Sequence, residues 1–371
     1  MDYTGNFVGI TNKVSGRGLL AGSWGTNRGD TNVWQYPLSN VGPNPDGFVW
    51  MMFPDEQGYF WIVNKVSGLA LVAGSWGARP DNAVYQYPLD NIGGNPDNAE
   101  GFKWSLVQAG DESHYRITNK VSGRGLLAGS WGTQPDDKVW QYELSDVGPN
   151  ADGFVWQVSS QGLFNNLPAV REGIRIPDVV RLTGFADNPP EESPHGLIGE
   201  TRIPFWMVKD GGMSYRSQID RTPYYVLSRE QYWEREYIYE YDGVLTGTDT
   251  YKTTVGMSET ESRTIENELD ITVAAEASFT YGVATASLKT QIQNKLKVSE
   301  SSSKTRTLQT EQTITINRPT HRAKIVNWRL TDLYTLRRGD QTLVFSAKYP
   351  LQENVTSDVW PHGEAIAVGK S

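Results

Sequence analysis

Ala21-Gly22-Ser23-Trp24-Gly25 is written again as Ala73-Gly74-Ser75-Trp76-Gly77 and a third time as Ala128-Gly129-Ser130-Trp131-Gly132. The match spreads outward from these pentapeptides. Upstream stand Ile10-Thr11-Asn12-Lys13-Val14-Ser15-Gly16, Ile62-Val63-Asn64-Lys65-Val66-Ser67-Gly68 and Ile117-Thr118-Asn119-Lys120-Val121-Ser122-Gly123. Downstream stand Val33-Trp34-Gln35-Tyr36, Val84-Tyr85-Gln86-Tyr87 and Val139-Trp140-Gln141-Tyr142, followed by Phe48-Val49-Trp50, Phe102-Lys103-Trp104 and Phe154-Val155-Trp156. Self-similarity with a period of ~50 residues is the signature of a repeated supersecondary unit. Each unit holds about four short apolar runs separated by Gly, Asn, Asp and Pro clusters, which are turn chemistry. Three units therefore predict twelve strands. Propellers take roughly four or more blades, so the closed arrangement expected of three units is a β-trefoil over residues 1–158.

The repeated Phe-x-Trp is similar to the Gln-x-Trp core position of ricin-type trefoil lectins, with Phe in place of Gln. Trp50, Trp104 and Trp156 are accordingly expected in the core. Gly16-Arg17-Gly18-Leu19-Leu20-Ala21-Gly22 imitates a dinucleotide fingerprint, but repeat two loses the second Gly and no helix follows, so the phosphate reading fails. Trp24, Trp76 and Trp131 sit between glycines, in a setting that presents a large ring. Asp30, Asp81 and Asp136 follow, then Gln35, Gln86 and Gln141. A sugar site needs a flat apolar face and a few carboxylate or amide groups for paired hydroxyls. Trp, Asp and Gln supply both, and the expected ligand is a galactose-type glycan or glycolipid. The competing reading is that Trp seals the barrel mouth while Asp and Gln satisfy turn backbone. Three weak sites on one rigid head would act together on a glycan-covered surface.

The 371 residues carry a formal net charge of -9, which opposes nucleic acid as a partner. With no cysteine, disulfides and thiolate metal sites are excluded. His114, His195, His321 and His362 are isolated, and neither His-Glu-x-x-His nor Gly-x-Ser-x-Gly occurs, so no enzyme, metal or cofactor is expected. The N-terminus lacks the charged and apolar regions of a signal peptide. No run approaches the ~18 apolar residues of a spanning helix, so a membrane role would use strands.

Residues 159–200 read as a linker, with a rigid Asn188-Pro189-Pro190-Glu191-Glu192-Ser193-Pro194 loop, and a second all-β domain is expected over 201–371. Extended segments are predicted at Ile203–Val208, Tyr224–Leu227 and Tyr232–Tyr241, with a hairpin turn at Arg337-Arg338-Gly339-Asp340. The aromatic set Tyr224, Tyr225, Tyr232 and Trp233 is expected to be packed core.

Pro204-Phe205-Trp206-Met207-Val208-Lys209-Asp210, Gln218-Ile219-Asp220-Arg221-Thr222-Pro223-Tyr224-Tyr225-Val226-Leu227 and Gln231-Tyr232-Trp233-Glu234-Arg235 strongly resemble the Bin-type (Tpp) insecticidal toxins of spore-forming bacteria. The resemblance covers about residues 200–350. It implies a trefoil head and an elongated aerolysin-like pore module. It also implies an inclusion protein of sporulating bacteria, released and acting against mosquitoes at insect midgut membranes. A homo-oligomer in the pore is implied, and for some members a second toxin component. A lectin, or a receptor-binding component without pore activity of its own, is the alternative.

Within that frame an inserting hairpin is expected at about 270–298. Ile271, Val273, Phe279 and Tyr281 alternate with polar residues on odd numbers. After Gly282-Val283 the parity switches, and Leu288 and Ile292 fall on even ones. A turn at Gly282-Val283 pairs Tyr281 with Ala284 and Ala277 with Leu288, giving one apolar face for lipid and one polar, pore-lining face with Glu276 opposite Lys289.

Overall fold

A computed structural model describes the chain except residues 1–2, 90–95, 165, 174–177, 212, 246, 256–257, 261–270, 274–278, 282–285, 298–309, 363–367 and 371. It divides into two compact units. One holds Met1–Leu167, Pro204–Tyr224 and Val283–Gln291; the other holds Pro168–Ile203, Tyr225–Gly282 and Ile292–Ser371.

In the first unit each repeat supplies four strands. They are β1 (Asn6–Asn12), β2 (Arg17–Ala21), β3 (Val33–Pro37) and β4 (Val49–Pro54), then β5 (Phe60–Asn64), β6 (Ala70–Ala73), β7 (Val84–Tyr87) and β8 (Lys103–Gln108), then β9 (His114–Asn119), β10 (Gly125–Ala128), β11 (Val139–Tyr142) and β12 (Val155–Leu163). All twelve join one sheet. It closes where β1 pairs antiparallel with β12, from Asn6 opposite Leu163 to Asn12 opposite Trp156. This is the β-trefoil.

The repeated letters fall on repeated jobs. Trp50, Trp104 and Trp156 are fully buried, each donating its indole N–H to Leu19, Leu71 or Leu126 O at 2.9–3.0 Å, which satisfies the one polar atom of a core Trp. Asn12, Asn64 and Asn119 are buried as well. Their Oδ1 atoms accept from the backbone N–H groups of the Val and Ser in the following turn, and their Nδ2 atoms donate to carbonyls at the foot of the fourth strand. Residues 204–224 belong to this unit. Phe205–Met207 form a single helical turn and Tyr215–Arg221 a short helix capped by Ser214 Oγ. Phe53 of the head packs against Phe205, Trp206 and Tyr224, with ring centroids 4.5–6.0 Å apart.

The second unit is built on long strands. β13 (Gly196–Pro204), β14 (Tyr224–Tyr241), β19 (Ala323–Arg337) and β20 (Leu343–Trp360) form one sheet in that order, with β14, β19 and β20 antiparallel. β15 (Thr248–Val255), β18 (Thr310–Asn317) and β21 (Val368–Lys370) form a second. Two of the expected extended segments, Tyr224–Leu227 and Tyr232–Tyr241, are parts of the single strand β14, with Tyr225 and Tyr232 fully buried. The first, Ile203–Val208, ends instead in the helical turn after Pro204. The expected hairpin at Arg337–Asp340 joins β19 to β20, closed by Arg338 N donating to Thr342 O. A bulge at Glu236 turns that side chain inward, where it accepts from Asn327 Nδ2 and Arg329 Nε. β16 (Ile271–Val273) pairs with β17 (Phe279–Tyr281), and Ala286–Lys295 is helical.

Candidate carbohydrate-binding site

Each Gly-Ser-Trp-Gly loop holds two consecutive non-glycine residues in the left-handed region. φ is 49° and 52° at Ser23 and Trp24, 50° and 56° at Ser75 and Trp76, and 50° and 53° at Ser130 and Trp131. Such a residue costs roughly 1–2 kcal/mol relative to ordinary backbone, and strain of this kind persists only where surrounding contacts over-determine it. The aspartates supply those contacts. Asp30 accepts from Ser23 Oγ at 2.7 Å and from Asn32 N at 3.1 Å. Asp81 accepts from Ser75 Oγ at 3.0 Å and Ala83 N at 2.9 Å, and Asp136 from Ser130 Oγ and Lys138 N, both at 3.0 Å. Burial pushes the Asp30 carboxyl up, but the bonds from Ser23 and Asn32 outweigh it and hold it below the usual carboxylate range.

The glutamines are fully buried. Gln35, Gln86 and Gln141 accept through Oε1 from Ser15, Ser67 and Ser122 Oγ at 2.8, 3.0 and 2.8 Å. Their Nε2 atoms donate across the repeat boundary, to Asp136 O at 2.7 Å, Asp30 O at 2.9 Å and Asp81 O at 2.7 Å. Repeat one thus grips three, two grips one and three grips two. Asp and Gln form the frame that fixes the loop, and the Gln side chains have no face toward solvent.

The rings remain presented. Trp24, Trp76 and Trp131 are partly exposed and meet Tyr36, Tyr87 and Tyr142 with centroids 5.9, 5.7 and 6.1 Å apart. In repeat one this pair walls an open pocket of about 280 Å³, lined by Leu20, Ser23, Trp24, Trp34, Tyr36 and Asp137. Trp34 and Tyr36 flank the buried Gln35 on β3, so period-two alternation turns both outward; that signal was present in Val-Trp-Gln-Tyr. Asp137 arrives from repeat three, and no local pattern announces it.

Of the residues expected in the inserting hairpin, Glu276 and Gly282 lie outside the described residues. Ile271, Val273, Phe279 and Tyr281 are in strands, with Ile271 opposite Tyr281 and Val273 opposite Phe279. Leu288, Lys289 and Ile292 are in the helix Ala286–Lys295 rather than in the expected returning strand, and Ala277, the expected partner of Leu288, lies outside the described residues. The reason is visible in the spacing. Leu288, Ile292 and Leu296 are four apart, and a four-residue spacing lies on one face of a helix as well as on one face of a strand. Ile292 and Leu296 are buried.

Residues 196–355 match the family described as Insecticidal Crystal Toxin, P42. The binary larvicide subunit BinA of Lysinibacillus sphaericus is 27% identical over 214 residues, 55% of this chain and 55% of BinA. The insecticidal crystal protein Cry35Ab1 of Bacillus thuringiensis is 24% identical over 293 residues, 77% of this chain and 68% of Cry35Ab1. The chain spans about half the length of the BinA relatives it matches. The crystal structure of Cry35Ab1 shares the fold, with a TM-score of 0.76 at 18% identity, covering 97% of this chain and 91% of that one. The segment that matches the Insecticidal Crystal Toxin family runs through the long-stranded module, and the likeness to Cry35Ab1 extends over both the trefoil and that module.

Proposed function

We propose that this protein is an insecticidal toxin of two working parts: a head that binds cell-surface glycans, and a β-sheet module that assembles into an oligomer and inserts a hairpin from about residues 270–298 into the target membrane. The observation that carries the glycan reading is the repeat-one pocket, an open aromatic cleft beside a half-exposed carboxylate, Asp137. An aromatic face takes the apolar side of a sugar ring and a carboxylate takes its hydroxyls. Trp24 and Trp131 are the proposed ring platforms; the aspartates and glutamines position them.

The insertion reading rests on the alternating text of 269–298 and on residues compatible with both helix and strand. Ile271, Val273, Phe279, Tyr281, Leu288 and Ile292 would face lipid in the inserted form, and Glu276 and Lys289 the lumen. Relatives named as a binary larvicide subunit and an insecticidal crystal protein support an insect target and a bacterial crystal source.

Dye release from liposomes with and without galactose-terminated glycolipid tests both parts. The expected result is leakage that depends on the glycolipid and is lost in the Trp24→Ala, Trp76→Ala, Trp131→Ala triple variant. Binding without leakage would instead make the chain a lectin or the receptor-binding component of a pair.

A further inference from the structure

The three repeats are alike in sequence but not in surroundings. The turn after each buried Asn ends in a glycine with φ near +65°: Gly16, Gly68 and Gly123. A Cβ on Gly16 or Gly123 would meet nothing within 4 Å, whereas on Gly68 it would lie 2.4 Å from the Tyr215 ring and 2.9 Å from Ile219 Cδ1. The short helix Tyr215–Arg221 therefore lies over the second turn and leaves the other two open.

The next residue changes in step. It is Arg17 in repeat one, Leu69 in repeat two and Arg124 in repeat three. Leu69 is fully buried. Arg17 and Arg124 reach into the neighbouring repeat, where their partners occupy one equivalent position. Arg17 Nη1 pairs with Asp137, and Arg124 Nη1 donates to Asn82 Oδ1 at 2.9 Å while its Nε donates to Glu143 Oε1 at 3.0 Å. The residue at that position in repeat one is Thr31, and the arginine position of repeat two holds the aliphatic Leu69. Asp137 lines the repeat-one pocket. A polyol needs, besides the aromatic face, a polar group held fixed for its hydroxyls. A guanidinium bonded to the carboxylate or amide holds that group still and leaves its remaining lone pairs available.

We infer that the head is bivalent: repeats one and three bind sugar, with Arg17–Asp137 and Arg124–Asn82 as the positioning pairs, and repeat two has become the seat of residues 204–224. The inference rests on the glycan-binding reading above.

Equilibrium dialysis of the full chain with radiolabelled lactose counts the sites. Two moles bound per mole are expected. Arg17→Leu or Asp137→Ala should reduce this to one, Arg124→Leu should do the same, and the two Arg changes together should give none. Trp76→Ala should leave two. Near-UV circular dichroism and the thermal midpoint check that each variant is folded, and Asp137→Ala reports on the first site if Arg17→Leu fails to fold. Three moles bound by the native chain, or a loss of one in folded Trp76→Ala, would overturn the inference while leaving glycan binding intact. No lactose bound by the native chain would remove the glycan reading and the inference with it.

Discussion

Arg229 donates from Nε to Asp332 Oδ1 at 3.0 Å, and from Nη1 to the carbonyl oxygens of Leu296 at 3.2 Å and Lys297 at 2.7 Å. Both members of the pair are buried. A cation at the carbonyl end of a helix is favourably placed, and here it stands at the end of Ala286–Lys295. β13 passes so close that a Cβ on Gly199 would lie 2.0 Å from Lys295 O. The second arm of the segment expected to enter the membrane is thus a helix whose C-terminal end is held by a side chain of β14, a strand of the main sheet.

Removing one partner of a buried ion pair leaves an uncompensated charge and costs about 3–5 kcal/mol. Asp332→Ala should destabilise the second unit by that amount in urea unfolding. Amide exchange should accelerate at 292–297 ahead of the β14–β19 ladder. Equal protection of the two regions in the variant would show that Arg229 does not hold the helix end.

Gln86→Leu should cost about 1–3 kcal/mol, because Asp30 O and Asn32 O, which accept from Nε2 at 2.9 and 3.2 Å, would lose a donor inside the protein. Thermal unfolding of the head is the measurement. A midpoint unchanged from the native chain would mean that the repeats do not depend on one another through these amides.

Gly42 and Gly148 lie against the indoles of Trp24 and Trp131. A Cβ on either would fall 2.1 Å from Cε2, and φ is +52° and +47°. Gly148→Ala should therefore displace Trp131 and weaken sugar binding in repeat three, with roughly 1–2 kcal/mol of backbone cost besides. Intact binding in a folded variant would exclude Trp131 as the platform.

Burial pushes the hydroxyls of Tyr232, Tyr237 and Tyr239 up to about 12. Their unfolded counterparts ionise near pH 10, so the unfolded state releases protons first as pH rises. The contribution is complete below pH 10 and is lost as pH rises through 12. The Tyr237 hydroxyl is buried without a described hydrogen bond. Tyr237→Phe should thus be neutral or slightly stabilising at pH 8 and should reduce the alkaline loss by roughly 1–2 kcal/mol at pH 12. Urea midpoints at the two pH values decide it.

The trefoil was legible because its signals are periodic: Phe-x-Trp names the core at each turn of the repeat, and Gly, Asn and Asp mark the same turns three times. Trp24 and its copies were legible as presented rings for the same reason. The roles of Asp30 and Gln35 were not. A polar side chain next to a turn looks the same in sequence whether it faces a ligand or its own backbone, and only the positive φ at Ser23 and Trp24 shows which task comes first. Asp137 belongs to the first pocket through ring closure, a relation invisible to any local window. Leu288 and Ile292 fit both periodicities, and the structure places them in a helix.

The pairing of β1 with β12 also bears on how the protein is made. A ribosome delivering ~5–20 residues per second takes roughly 8–30 s to pass from Asn12 to Leu163. Throughout that interval the β12-facing edge of β1 has no partner, and Gln35 waits for the carbonyl of Asp136. The head is therefore an open-edged sheet for most of its synthesis, and its final strand both completes the barrel and removes the edge at which two nascent chains would pair with each other.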